Sequence, residues 1–108
     1  MLRYLCRVPG TDLMDPVIRL HLKFHGQVQG VGFRYRAQHA ANALGLTGWV
    51  ENQWDDSVEM EVQGTEEAIG KMIRMINQGT FVHIAGIERK NVPLVEKERS
   101  FRVRGYYG

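Results

Sequence analysis

The residues of this chain best suited to chemistry are concentrated in Phe24-His25-Gly26-Gln27-Val28-Gln29-Gly30-Val31-Gly32-Phe33-Arg34. Gly26, Gly30 and Gly32 tolerate positive φ, so the loop they punctuate can turn several backbone N–H groups toward one centre. A helix pattern follows, and its first turn adds unpaired N–H groups and the positive end of a dipole. Arg34 adds a planar, charged fork that matches phosphate or carboxylate oxygens. Loop, helix start and arginine together describe an anion cradle. The spacing Gly-x-x-x-Gly-x-Gly is neither the dinucleotide fingerprint nor a Walker loop, which needs Gly-Lys-Ser/Thr. A glycine-rich turn before a helix remains the plain alternative on spacing alone.

Other chemistry is sparse. Cys6 is the chain's lone cysteine, and it lies far from the loop in sequence. No serine sits beside a histidine in a recognisable nucleophile motif, and no metal-ligand spacing appears. His21 and His25 share one face of an extended strand about 13 Å apart, too far to hold one metal. Asp55 and Asp56 are adjacent in a turn pattern, where carboxylates ordinarily serve turn geometry. Asn52 ends a strand pattern; its carboxamide both accepts and donates hydrogen bonds but is no strong base.

The elements that must position these residues follow from periodicity. Ile18, Leu20, Leu22 and Phe24 alternate with Arg19, His21, Lys23 and His25, a strand with one buried face. Phe33, Ala37, Ala40, Ala41 and Leu44 recur at helical spacing, and Gly45 stands where a C′ glycine belongs. Arg34 therefore lies in a first turn, where a cation opposes the dipole and a bound anion would relieve the conflict; Arg36 is expected to face solvent. Leu46–Asn52 and Val58–Gln63 read as a hairpin about a turn at Gln53–Ser57. Thr65 caps a second helix with Glu66 and Glu67 in its first turn, Ile69, Met72, Ile73 and Ile76 as its buried stripe, and Gly79 as its stop. Val82–Arg89 is a fourth strand with a bulge expected near Gly86, because Ile84 and Ile87 break alternation. A loop around Pro93 leads to a short last strand at Phe101–Arg104. The order βαββαβ plus a terminal strand predicts an α+β sandwich, with a mainly antiparallel sheet carrying two helices on one face.

The chain has 108 residues and a formal charge of +2. That length fits one domain with its own core, and that charge does not call for a nucleic-acid partner. No run approaches the roughly 18 apolar residues of a membrane helix. A lone cysteine cannot form an internal disulfide, which fits a reducing, cytoplasmic setting. Residues 1–16 contain Pro9-Gly10 and Asp15-Pro16 as breakers and read as an extension before a domain at 17–108. Three readings stand for that extension: a flexible tail, a natural start at Met14, or a docked extra segment.

Gly26-Gln27-Val28-Gln29-Gly30-Val31-Gly32-Phe33-Arg34 closely resembles the acylphosphatase signature Gly-x-Val-Gln-Gly-Val-x-Phe-Arg. A second signature of that family is similar to Gly48-Trp49-Val50-Glu51-Asn52, with Asp55, Val58 and Gln63-Gly64 beyond it. The resemblance spans about residues 18–105. It implies the ferredoxin-like fold, in which the third strand lies between the first two and brings their C-terminal ends to about 10 Å of each other. It implies hydrolysis of an acyl phosphate to carboxylate and phosphate, without metal or cofactor, by a monomer that inorganic phosphate inhibits. Carried onto matching positions, it implies that Arg34 and the backbone N–H groups of Gln27, Val28, Gln29, Gly30, Val31, Gly32 and Phe33 bind the phosphate. Asn52 would orient the attacking water.

The chain departs from the family pattern twice. Asp55-Asp56-Ser57-Val58 stands where the family often has Asp-Gly-x-Val, which puts Asp56 at a positive-φ turn position. Gln27 stands where a basic residue is frequent. Two rival functions share the fold. Gly30-Val31-Gly32-Phe33-Arg34-Tyr35 faintly resembles the aromatic RNP1 motif of RNA-recognition domains, but it leads into a helix rather than lying on an interior strand. A catalytically silent anion-binding domain is the other.

Overall fold

A computed structural model describes residues 16–105 of the chain. Cys6, Met14 and the readings of the N-terminal extension up to residue 15 lie outside the described residues.

The elements run β1 (Val17–Gln27), α1 (Phe33–Leu44), β2 (Thr47–Asn52), β3 (Val58–Thr65), α2 (Glu66–Asn77), β4 (His83–Val92) and β5 (Phe101–Arg104). They form a five-stranded sheet in the order β4-β1-β3-β2-β5. β1 pairs antiparallel with β3 and β4, β2 pairs antiparallel with β3, and β5 lies parallel to β2. Because β1 and β2 both run against β3, their C-terminal ends meet at one edge of the sheet. This is the ferredoxin-like α+β arrangement expected from the sequence, with both helices on one face.

Alternation along the strands decides what each face holds. Leu20, Leu22 and Phe24 of β1, Val50 of β2, Val58, Met60 and Val62 of β3 and Phe101 of β5 form the sheet side of the core. Phe33, Ala37, Ala40 and Ala41 of α1 and Ile69, Met72 and Ile76 of α2 close it. The alanines let α1 sit close to the sheet, and the Phe33 ring meets Phe24 edge-on at 5.0 Å. Gly45 ends α1 with φ 70°, and the Thr65 hydroxyl accepts the Ala68 N–H at the start of α2.

The end of α2 differs from expectation. Gln78 caps it in right-handed geometry, and the Gly79 N–H bonds to Ile76 O at 3.0 Å. Gly79 is small for another reason: a Cβ there would lie 2.8 Å from Arg36 Nε. Arg36 crosses this gap and donates to Met75 O at 2.9 Å, tying the two helices together.

The bulge falls in β4. His25 faces Gly86 and Gly26 faces Ile84, so Ala85 is the extra residue. At Gly26, φ is 125° and a Cβ would lie 2.2 Å from His83 O, so only glycine admits the strand at this point. The close approach turns β1 into the glycine loop.

The other face of the sheet is not simply solvated. Arg19, expected on the polar face, is 3% exposed. Its guanidinium donates to Glu61 at 2.8 Å, to Gln63 at 3.1 Å and to Glu98 at 2.7 Å. The segment between β4 and β5 folds back over this arginine, and Gln63 pairs with the backbone of Val95 in both directions. Nearby, Arg104 stacks on Trp49 at 4.1 Å.

Candidate active site

Gly30 and Gly32 adopt φ of 72° and 80°, the left-handed values the loop requires. Gly32 is the N-cap of α1 and supplies no side-chain hydrogen bond, and the first turn contains no acidic residue. The helix therefore presents an uncapped, positive N-terminus. Arg34 sits in that turn yet is only 4% exposed. Its Nη1 donates to Arg104 O at 3.1 Å. Its Nη2 is buried and has no hydrogen-bond partner among the described residues.

Asn52 arrives from β2. It lies on the same strand face as the core residue Val50, which directs it to the helix side of the sheet, where α1 begins. Val28, Gly30, Gly32, Phe33, Arg34, Tyr35 and Asn52 line one cavity of about 270 Å3. Residues distant in sequence thus become one site through topology. The cavity can take an anion of phosphate size with a water beside it.

Gln27, Gln29 and Val31 line an adjoining, larger cleft instead. The Gln29 side chain is engaged elsewhere: its Nε2 donates to Gln53 O at 2.6 Å and to Ser57 O at 2.8 Å. It binds the glycine loop to the β2–β3 hairpin, which carries Asn52. Sequence reasoning gave Gln29 a place in the cradle but not this tie. It also missed Arg104, whose backbone carbonyl aims Arg34; a carbonyl on a non-local strand leaves no signal in side-chain type.

The hairpin carboxylates serve the turn. Asp55 accepts from the Ser57 backbone N–H and hydroxyl and pairs with Lys23 Nζ at 3.0 Å. The Ser57 hydroxyl foremost, then Lys23, hold its carboxyl far below the ordinary range, so it stays ionised and is no proton donor. Lys23 is raised in turn, chiefly by the same contact. Asp56 takes φ 72°, as its turn position predicts, and lines the adjoining cleft. Trp54 stands 94% exposed and takes no part in lining the cavity. His21 binds Glu61, and His25 binds Glu88. Among the described residues no group of three or more His, Cys, Asp or Glu side chains could hold a metal ion.

Fold and cavity define a small α+β domain of the ferredoxin-like class with a phosphate-sized cavity at the start of its first helix. The acylphosphatase family model matches residues 20–103. The chain is 44% identical over 86 residues to an acylphosphatase of Geobacillus kaustophilus, covering 79% of this chain and 92% of that one. The crystal structure of acylphosphatase from Bacillus subtilis superposes with a TM-score of 0.74 at 30% identity, covering 83% of this chain and all of that one. An acylphosphatase from Coxiella burnetii gives 0.72 at 29% identity, covering 85% and 96%. The chain belongs to the acylphosphatase family. It is a hydrolase of acid anhydrides that splits acyl phosphates into carboxylate and phosphate. Among the described residues no helix is long and apolar enough to cross a membrane.

Proposed function

We propose that Arg34 and the N–H groups of the Gln27–Phe33 loop bind the phosphoryl group, and that Asn52 orients the attacking water. The observation that carries this reading is Arg34. One of its nitrogens is fixed to Arg104 O, while the other is buried, without a hydrogen-bond partner among the described residues, in the cavity that Asn52 also lines. A buried guanidinium nitrogen of this kind is costly unless an anion completes it.

The reaction follows from these parts. Water held by the Asn52 carboxamide attacks phosphorus. The bond from phosphorus to the bridging oxygen breaks, and the carboxylate leaves with the electron pair. The water proton passes to a phosphoryl oxygen, so no ionised protein base is needed. A carboxylate is a good leaving group, and positioning with charge stabilisation supplies much of the acceleration. Phosphate, the product, occupies the same donors and inhibits. The enzyme acts as a monomer without metal or cofactor, in the cytoplasm, where its lone cysteine stays reduced.

Phosphate release from an aromatic acyl phosphate, with chelator present, tests this. Wild type should turn over, and Arg34→Ala and Asn52→Ala should each lose roughly 100- to 1,000-fold in kcat, the usual effect of removing a donor to developing charge. Phosphate binding by a folded wild type that releases no product would favour a silent anion-binding domain. A rate that follows an ionised protein base would remove the proton route.

A further inference from the structure

The glycine loop is a partition. The cavity with Arg34 and Asn52 lies on one side, and a second cleft of about 710 Å3 lies on the other; Val28 lines both. The phosphate-sized cavity is too small to enclose a large acyl group as well, whereas the cleft falls within the range of small-molecule sites, roughly 300–1,000 Å3. The rim between them is bare: a Cβ at Gly30 or Gly32 would meet nothing within 4 Å. A chain attached to a bound phosphoryl group can cross there.

The lining of the cleft has a distinct chemistry. Phe81 is 72% exposed and lines this cleft, so its ring face is open to a ligand. Val31 and Thr80 extend that wall, and Gln27 faces His83 across β1 and β4. Among the described residues that line the cleft there is no lysine or arginine, His83 is the one imidazole, and Asp56, in its left-handed turn, is the one carboxylate. An aromatic wall with a carboxylate and no guanidinium or ammonium group favours an uncharged, flat acyl group and disfavours one bearing a second anion.

We infer that this cleft is the acyl-group subsite of the enzyme, with Phe81 as its stacking wall and Asp56 as the group that rejects anionic acyl chains. The inference rests on the hydrolase reading above and names its substrate class: acyl phosphates of uncharged aromatic or bulky apolar carboxylic acids.

Three probes separate the terms: acetyl phosphate, whose two-carbon acyl group does not reach the cleft, benzoyl phosphate, and para-carboxybenzoyl phosphate. Phe81→Ala should raise the KM for benzoyl phosphate roughly 3- to 10-fold, the scale of an aromatic contact. It should leave acetyl phosphate turnover and inhibition by inorganic phosphate unchanged. Asp56→Asn keeps a residue that tolerates left-handed geometry. It should lower the KM for the carboxybenzoyl substrate roughly threefold relative to benzoyl phosphate, with the gain shrinking as salt is raised. Equal effects of Phe81→Ala on acetyl and benzoyl phosphates would overturn the stacking role. An unmoved carboxybenzoyl-to-benzoyl ratio in Asp56→Asn would overturn the charge role. Turnover by wild type with both ratios unmoved removes the subsite and leaves the hydrolase; no turnover of any probe removes both.

Discussion

Arg34 Nη1 donates to the backbone carbonyl of Arg104 at 3.1 Å, so the last strand of the sheet sets the aim of the first helix's arginine. Gly105, just beyond, has φ 99°, and a Cβ there would lie 3.8 Å from the same nitrogen. Steric room is adequate, but the backbone conformation is one that a β-branched residue resists.

Gly105→Val should therefore turn the Arg104 carbonyl away. The expected loss of stability is about 1–2 kcal/mol. The expected loss in kcat/KM is larger, on the order of tenfold, because the guanidinium is no longer pre-set for the phosphoryl group. Thermal unfolding and steady-state kinetics on one preparation separate the two effects. Wild-type kcat/KM in a destabilised variant would show that the carbonyl does not aim Arg34.

Gln29→Ala removes the tie between the glycine loop and the hairpin. Gln53 O and Ser57 O each lose one donor but keep another, from the Asp56 and Gln53 backbone N–H groups, and the expected destabilisation is about 1–2 kcal/mol for the two bonds. Gln29→Glu should be worse, since it sets a carboxylate against both oxygens. Denaturant midpoints of the three proteins check the order.

Glu98→Ala should cost about 1–3 kcal/mol by leaving Arg19 buried with fewer partners. Arg19→Met in the Glu98→Ala background should recover part of that loss, because removing a buried charge together with its partner is less damaging than orphaning it. A double-mutant cycle by denaturant unfolding measures the coupling.

Acid should weaken the fold through Asp55 and Glu61. The Ser57 hydroxyl and Lys23 depress Asp55. Burial opposes ionisation of Glu61, but hydrogen bonds from His21 and Arg19 outweigh it and leave its carboxyl below the ordinary range. Both groups bind fewer protons in the folded than in the unfolded chain, so their contribution is complete above the ordinary carboxylate range. It is lost as pH falls through that range toward the lowered folded values. Denaturant unfolding from pH 7 to pH 3 should show stability falling with acid, and Asp55→Asn should flatten the slope.

Local chemistry was legible in the chain. The left-handed glycines of the loop, Thr65 as a cap, Gly45 as a stop and the positive φ of Asp56 each follow from what one residue type does to nearby backbone, and the bulge beside Gly86 follows from the broken alternation of Ile84 and Ile87. What was not legible came from distant segments. Arg19 alternates correctly for a solvated face, yet the loop carrying Glu98 covers it. Gly79 has the position of a helix stop, but the room it leaves is taken by Arg36 of the other helix. The Gln29 amide and the Arg104 carbonyl meet partners that no periodicity announces, because a hydrogen bond to backbone depends on where strands pair and not on which side chains they carry.

The parallel pairing of β5 with β2 has a consequence in time. Phe101 pairs with Gly48 and Arg104 with Glu51, a junction between segments made far apart during synthesis. Such non-local closures, like the still longer pairing of Arg19 with Val92, cost loop-closure entropy before their contacts reward it and slow folding. A nascent or refolding chain can form both helices and the hairpin while Arg34 still lacks the carbonyl that orients it. Catalytic competence should then lag behind helical signal during refolding, and the enzyme would stay silent until its final strand has docked.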